Sequence, residues 1–260
     1  SAAILEQLHS IDTIVLDKTG TITSGKPSVQ GIKVYTNIST NDFISVAASL
    51  ESGSLHPLGQ AIVEYAKDKN SKLQQPENFT NISGRGIQAK LNGHVYLAGN
   101  KRLLEEKNIR INQIVLSDLD AYASLGQTPL IFVEDQNVIG LISVADTIRS
   151  TSKVALEQFK QKNMHVVMLT GDNQKTANAI GKSLSVDEVI SDVLPQDKES
   201  VIRKLQEQGK KVMMVGDGIN DAPALMRSDI GVAIGAGTDI ALDSADVILM
   251  KSSLLDVVTA

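Results

Sequence analysis

The sequence contains no cysteine. That excludes disulfides and thiolate metal sites and is compatible with a reducing compartment. Tryptophan is absent and aromatic residues make up only 3% of the chain, so a core must be built mainly from Val, Ile, Leu, Ala and Met. Positive charge is also short: 25 Lys and Arg stand against 30 Asp and Glu, a formal net charge of -5. The basic residues are scattered and form no stripe interleaved with aromatics, which argues against nucleic acid as a partner. No apolar run approaches the roughly 18–20 residues that span a bilayer. The opening SAAILEQLHS lacks the basic start and long apolar stretch of a secretory signal.

What is present is a globular mixture, 42% hydrophobic and 21% charged over 260 residues. That suffices for one large domain or two ordinary ones. Continuous apolar runs at Ile11–Leu16, Val166–Leu169, Val212–Val215, Ile230–Ile234 and Val247–Met250 predict strands covered on both faces. Helices are expected over Pro195–Gln208, with Pro in the first turn and Gly209 as the stop, and over Thr147–Lys162 and Lys175–Leu184. This alternation predicts a parallel, doubly wound α/β sheet. From about Pro27 to Ala145 the alternation stops. There the pattern predicts helices Asn41–Leu50 and Pro57–Lys69, then strands Ile87–Leu91, His94–Ala98, Pro129–Glu134 and Val138–Val144. Asn92-Gly93 is a two-residue hairpin signal, and Gln136-Asn137 marks a second turn. The expected organisation is an α+β domain, residues 27–146, inserted into an α/β domain made of residues 1–26 and 147–260.

Asp17 ends the first predicted strand and precedes Lys18-Thr19-Gly20-Thr21. Ligands of open α/β sheets sit beyond the carboxyl ends of the strands. A carboxylate there, exposed and ringed by the amides of a Gly-containing turn, suits an aspartyl nucleophile. Alone, such an aspartate more often just caps a turn. Three further segments point to the same edge. Thr170-Gly171-Asp172 ends the strand Val166–Leu169 and brings a hydroxyl. Lys198 lies in the first turn of the helix beginning at Pro195, where its charge can hold a phosphoryl group. Gly216-Asp217-Gly218-Ile219-Asn220-Asp221 ends the strand Val212–Val215 and offers carboxylates. Asp17 and Asp217 fit Mg²⁺, which takes few, hard oxygen ligands.

DKTGT at 17–21, TGD at 170–172 and GDGIND at 216–221, in this order, resemble the phosphorylation domain of P-type ATPases, members of the haloacid dehalogenase superfamily. The resemblance implies that Asp17 takes a phosphate from ATP, with Lys18 and Thr19 beside it. It also implies that Mg²⁺ is held by Asp17, Thr19 and Asp217, that Thr170 and Lys198 hold the phosphate, that Gly171 and Asp172 belong to the catalytic set, and that Asn220 and Asp221 support the site. A soluble phosphatase of the same superfamily is the alternative. Such phosphatases carry an Asp two residues after the nucleophile to activate water. Thr19 cannot do so near neutral pH, so a phosphoenzyme should persist, as a pump requires. A pure nucleotide-binding module would need no nucleophile.

In the insert, Glu51, Ser54–Pro57 (Ser-Leu-His-Pro), Gly84-Arg85-Gly86-Ile87 and Gly99-Asn100 are each ordinary alone. Gly-x-Gly marks any tight turn, and His-Pro suits any helix start. Together and in order they resemble the nucleotide-binding domain of the heavy-metal branch of P-type ATPases. The resemblance implies that Glu51 and His56 contact adenine, and that Gly84, Gly86, Ile87, Gly99 and Asn100 shape the ATP pocket, with missing side chains at Gly84 and Gly86 letting ATP approach the backbone. Asp146 and Thr147 resemble the family's hinge between domains. His9, His94 and His165 match nothing. The resemblance further implies a cytoplasmic segment of an integral plasma-membrane protein, cut from between two membrane helices. Those helices, the actuator domain and the sites for the exported heavy metal would all lie outside the segment. Copper is expected first, then zinc, cadmium or cobalt.

Overall fold

The structure is a computed structural model that describes residues 2–218, 220–234, 247–249 and 253–259. The chain divides into two compact units, Ser1–Gly25 with Thr147–Ala260, and Lys26–Asp146. Strands and helices are numbered along the chain.

The first unit is built on six parallel strands: β1 (Thr13–Asp17), β8 (His165–Leu169), β9 (Glu188–Ile190), β10 (Val212–Gly216), β11 (Ile230–Ile234) and β12 (Val247–Leu249). Their order is β12-β11-β10-β1-β8-β9, with parallel pairing throughout. Side chains alternate across this sheet. Ile14, Leu16, Val166, Met168, Met213 and Val215 enter one core with α6 (Ser150–Gln161), α7 (Gln174–Leu184) and the terminal α10 (Leu254–Val258). Val15, Val167, Leu169, Val212 and Met214 enter a second core with α8 (Lys198–Glu207) and α9 (Ala222–Arg227). Burial on both faces is why these strands read as unbroken apolar runs. A short α1 (Ala2–Ser10) precedes β1.

The predicted strands of this unit are present, and Met250 lies outside the described residues. Two helix starts differ. The helix expected from Thr147 begins at Ser150, because β7 runs on to Ile148 and Arg149 is extended at φ -65, ψ 138. The helix expected from Pro195 opens as a 3-10 turn, Pro195–Asp197, before α8.

The second unit holds the sheet β2-β7-β6-β5-β4-β3: β2 (Thr23–Val34), β7 (Asn137–Ile148), β6 (Thr128–Glu134), β5 (His94–Gly99), β4 (Gly86–Leu91) and β3 (Glu77–Ile82). From β3 to β7 it is an antiparallel meander. β2 and β7 carry the chain out of the first unit and back. One face is covered by α2 (Thr40–Glu51) and α3 (Pro57–Asp68), the other by α4 (Lys101–Glu106) and α5 (Gln113–Ser124). Phe43 meets Phe132 edge-on, 5.5 Å between ring centroids at 89°, a geometry worth about 1 kcal/mol beyond its buried area.

Asn92 and Gly93 turn the β4–β5 hairpin with φ 51 and 80, as a type I′ turn requires. The β6–β7 turn is Asp135-Gln136, with Glu134 paired to Asn137, one residue earlier than expected. Asp135 ties this turn to β5: its Oδ1 accepts from Val95 N–H at 2.9 Å, and Oδ2 contacts His94 Nδ1. Among the described residues, no helix is long and apolar enough to cross a membrane.

Candidate active site

The three motifs end adjacent strands. Asp17 ends β1, Thr170 follows β8 on one side, and Asp217 follows β10 on the other. Register makes the convergence specific: Asp17 pairs with Leu169, and Leu16 with Val215. The carboxyl end of the sheet thus gathers Asp17, Thr170 and Asp217 from segments far apart in sequence.

Asp17 is only 4% exposed, where the sequence reading expected an exposed carboxylate. Its cover is the cause. Lys198, on the first residue of α8, donates from Nζ to Asp17 Oδ2 at 3.2 Å and to Asp221 Oδ1 at 2.8 Å. Asp221 is fully buried, and its Oδ2 accepts the Asp217 N–H at 3.2 Å. This packing needs Gly216, since a Cβ there would sit 2.3 Å from Asp221 Oδ2. Burial and then the charge of Asp221 push the Asp17 carboxyl up to about 8, with Lys198 opposing them. Burial pulls the Lys198 ammonium down, but Asp17 and Asp221 outweigh it and hold it above its ordinary value. The corner is two carboxylates bridged by one cation, in a setting where an unpaired charge is costly.

Lys18 turns away from Asp17. It is buried and pairs with Asp172 Oδ2 at 2.5 Å, joining the loops after β1 and β8. The Thr170 hydroxyl is buried and accepts the Asp172 N–H at 3.1 Å; Gly171 between them is exposed. Thr19 is exposed in extended backbone at φ -71, ψ 121, and Gly20 follows in the left-handed region at φ 77. Asp217 is half-buried, and its Oδ1 accepts from Asn220 N–H at 3.3 Å.

Sequence reasoning missed what fixes the loop after Asp17. The Thr23 hydroxyl accepts from Gly20 N–H at 3.2 Å and donates to Lys18 O at 3.1 Å. From the start of α6, Arg149 N–H donates to Ile22 O at 3.0 Å, and its Nε to Thr23 O at 3.0 Å. The buried Ser152 hydroxyl donates to Ile22 O at 2.8 Å. No local pattern signals these contacts, which link residues 126 and 130 positions apart.

In the second unit, a cleft of about 240 Å³ is lined by Glu51, His56, Gly84, Gly86, Ile87, Gly99 and Asn100, all seven of the residues expected at an ATP pocket. Ser54, Arg85, Thr128, Pro129 and Leu130 also line it. His56 caps α3, accepting the Leu58 N–H at Nδ1 (3.2 Å). With Nδ1 an acceptor, the neutral ring carries its proton on Nε2. The helix-start role and the cleft role therefore coexist. Ser54 accepts from His56 N–H at 3.2 Å and hydrogen-bonds the Glu51 carboxyl. Glu51 is 5% exposed, and burial pushes its carboxyl up to about 7, with Ser54 opposing.

Gly86 also has a packing reason. It pairs with Gly99 across β4 and β5, and a Cβ at Gly86 would lie 2.1 Å from Ala98 O. Its bareness lets the strands meet. Gly84 has open space but φ 67. Asn100 accepts from Leu103 N–H at the start of α4 and donates to Gly84 O at 3.0 Å, tying the turn to the helix.

Known proteins resemble this chain in both sequence and fold. The haloacid dehalogenase-like hydrolase family matches residues 11–229. The copper-exporting P-type ATPase of Staphylococcus epidermidis is 45% identical over 251 residues, which is 96% of this chain and 31% of that protein. The chain thus spans about a third of the length of the curated relatives it matches. A zinc-transporting PIB-type ATPase solved in the E2.Pi state superposes with a TM-score of 0.81 at 35% identity, over all of this chain and 42% of that one. The catalytic CPx-ATPase domain CopB-B superposes with a TM-score of 0.70 at 30% identity, over all of this chain and 92% of that one. By the paired sheets, the motifs at the strand ends and these matches, the chain belongs to the haloacid dehalogenase-like hydrolases and, among them, to the catalytic domains of heavy-metal P-type ATPases.

Proposed function

We propose that this chain is the ATP-binding and phosphorylation unit of a heavy-metal-exporting P-type ATPase, with Asp17 as the phosphate acceptor. The observation that carries the reading is the corner Asp17–Lys198–Asp221: a buried carboxylate at a strand end whose cation is shared with a second buried carboxylate. Such a cation is aimed at where phosphoryl charge develops. In this reading residues 1–26 and 147–260 are the phosphorylation domain and residues 27–146 the nucleotide domain. Asp146 and Thr147 serve as the hinge.

The donor set fits Mg²⁺. Asp17 and the half-buried Asp217 offer hard carboxylate oxygens, and Thr19 an oxygen in the exposed loop. Both oxygens of Asp221 are engaged, so its role is to place Lys198 and the Asp217 backbone. Bound there, Mg²⁺ would offset the charge gathered between nucleotide and carboxylates. Asp17 attacks the γ-phosphorus in line, its oxygen gains the phosphoryl group, and ADP leaves. Lys198 stays within reach of the transferred oxygens, and Thr170 and Gly171 border them. Lys18 and Asp172 hold the two bordering loops together, and Asn220 braces Asp217. Glu51 and His56 receive the adenine, and Gly84, Gly86, Ile87, Gly99 and Asn100 form the walls. Copper is the proposed cargo, as the named activity of the staphylococcal relative suggests. The whole protein then resides in the membrane with this segment on the cytoplasmic side. Its partners are membrane helices and an actuator domain of the same polypeptide.

A pulse–chase experiment separates this from the phosphatase alternative. Label from γ-labelled ATP should persist for many seconds after a chase with unlabelled ATP, because Thr19 supplies no base. Rapid hydrolysis of small phosphomonoesters with no retained label would establish a phosphatase instead.

A further inference from the structure

Glu51 is an ionisable side chain in an unusual place. It is the last residue of α2, 5% exposed, and it lines the cleft. Among the described residues it forms no ion pair with Lys, Arg or His. Of the other residues lining the cleft only His56 and Arg85 can carry charge. The Arg85 guanidinium is engaged by Glu106, Nε to Oε1 at 2.8 Å. One Glu51 oxygen is pressed against α3, where a Cβ on Gly59 would lie 2.4 Å from Oε2. The Ser54 hydroxyl is the partner of the carboxyl. Ile82, Ile87 and Leu130 make the rest of the wall largely apolar. A carboxylate so placed lacks the cation that would make its charge tolerable.

Neutral and ionised carboxyls read different ring edges. A neutral carboxyl offers one O–H donor and one carbonyl acceptor side by side. Adenine presents an amino donor beside a ring-nitrogen acceptor, the complementary pair. A carboxylate offers acceptors only; it can take the adenine amino group but faces the ring nitrogen lone pair to lone pair. Guanine instead presents two adjacent N–H donors, which suit a carboxylate.

We propose that Glu51 works in its neutral form, donating its proton to the adenine ring nitrogen and accepting from the amino group, so that ATP binding takes up a proton and adenine preference weakens as pH rises. The inference rests on reading this cleft as the nucleotide site. The upward push that burial gives the carboxyl, to about 7, places the transition within the physiological range. The sign follows: below that value the competent form is already populated, and above it each pH unit removes about tenfold of it, and of apparent affinity with it.

The test is calorimetric titration of the 260-residue chain with MgATP and MgGTP between pH 6 and 8.5, for wild type and Glu51→Gln. Each titration is run in two buffers of different ionisation enthalpy to count protons. Glutamine keeps a donor beside an acceptor and cannot titrate, so the comparison cancels whatever the phosphates and His56 contribute. Wild type should lose ATP affinity by roughly tenfold per unit above about pH 7 relative to E51Q, take up close to one more proton per ATP at pH 8, and lose its preference for ATP over GTP. Identical pH profiles and proton counts in the two proteins would overturn the inference while leaving the nucleotide site intact. So would E51Q that folds but loses ATP binding beside a pH-flat wild type, since the carboxylate would then be the working form. Absence of ATP binding by wild type at every pH would instead sink the nucleotide reading of the cleft, and this inference with it.

Discussion

Glu51→Gln should stabilise the second unit, and by an amount that depends on pH in a defined way. Burial raises the Glu51 carboxyl from 4.5 to about 7 in the folded chain. A folded value above the unfolded one means that the fold binds the proton more tightly. The contribution to stability is then full below about pH 4.5, is lost as pH rises toward 7, and stays lost above it. The interval, 7 minus 4.5, is about 2.5 units, which at ~1.4 kcal/mol per unit gives about 3 kcal/mol. Glutamine has nearly the same shape and no such loss. The stability difference between E51Q and wild type should therefore grow from near zero at pH 4.5 to about 3 kcal/mol at pH 8. Urea unfolding followed by tyrosine fluorescence reads this directly, because Tyr35, Tyr65, Tyr96 and Tyr122 all lie in the second unit and tryptophan is absent. Parallel stability curves for the two proteins across that range would refute the argument, showing that Glu51 is ionised in the fold.

Other consequences are equally direct. Arg149→Ala and Ser152→Ala each remove a side-chain bond that fixes the loop after Asp17; we expect about 1 kcal/mol loss of stability from the lost hydrogen bond, and slower phosphorylation with unchanged ATP affinity by calorimetry. Gly86→Ala drives a Cβ toward Ala98 O across the β4–β5 pair, so it should cost roughly 1–3 kcal/mol or more and weaken ATP binding through distortion of the cleft, visible as shifted amide resonances along both strands. Thr19→Asp restores a base two residues from the nucleophile and should hasten loss of the phosphoenzyme by about 10²–10⁴-fold, measured as the decay of label in a chase.

The site was most legible where chemistry sits at strand ends. Buried parallel strands are unbroken apolar runs, so Asp17, Thr170 and Asp217 could be placed at the ends of β1, β8 and β10 before their pairing was known. The meander from β4 to β7 was also visible, from alternating segments around Asn92-Gly93. β3 was not, because Glu77–Ile82 is an edge strand facing mostly solvent, and neither was β2, whose Gly25, Pro27 and Gly31 read as loop. Helices α4 and α5 carry their signals in Asn100 and Asn112, each accepting from the backbone N–H three residues on, and such N-caps could have been used. The latch by Arg149 and Ser152 and the buried state of Glu51 left no trace in local pattern. Both depend on what distant segments bring against them, and a charged residue at a helix end is ordinarily solvated.

The central claim is that Asp17 carries the phosphate. Its most direct test is incubation with γ-labelled ATP and Mg²⁺, comparing wild type with Asp17→Asn after acid quench and then hydroxylamine. Wild type should hold an acid-stable label that hydroxylamine removes, and Asp17→Asn should hold none. Equal labelling of both proteins, or label that resists hydroxylamine, would place the phosphate on another residue and contradict the account.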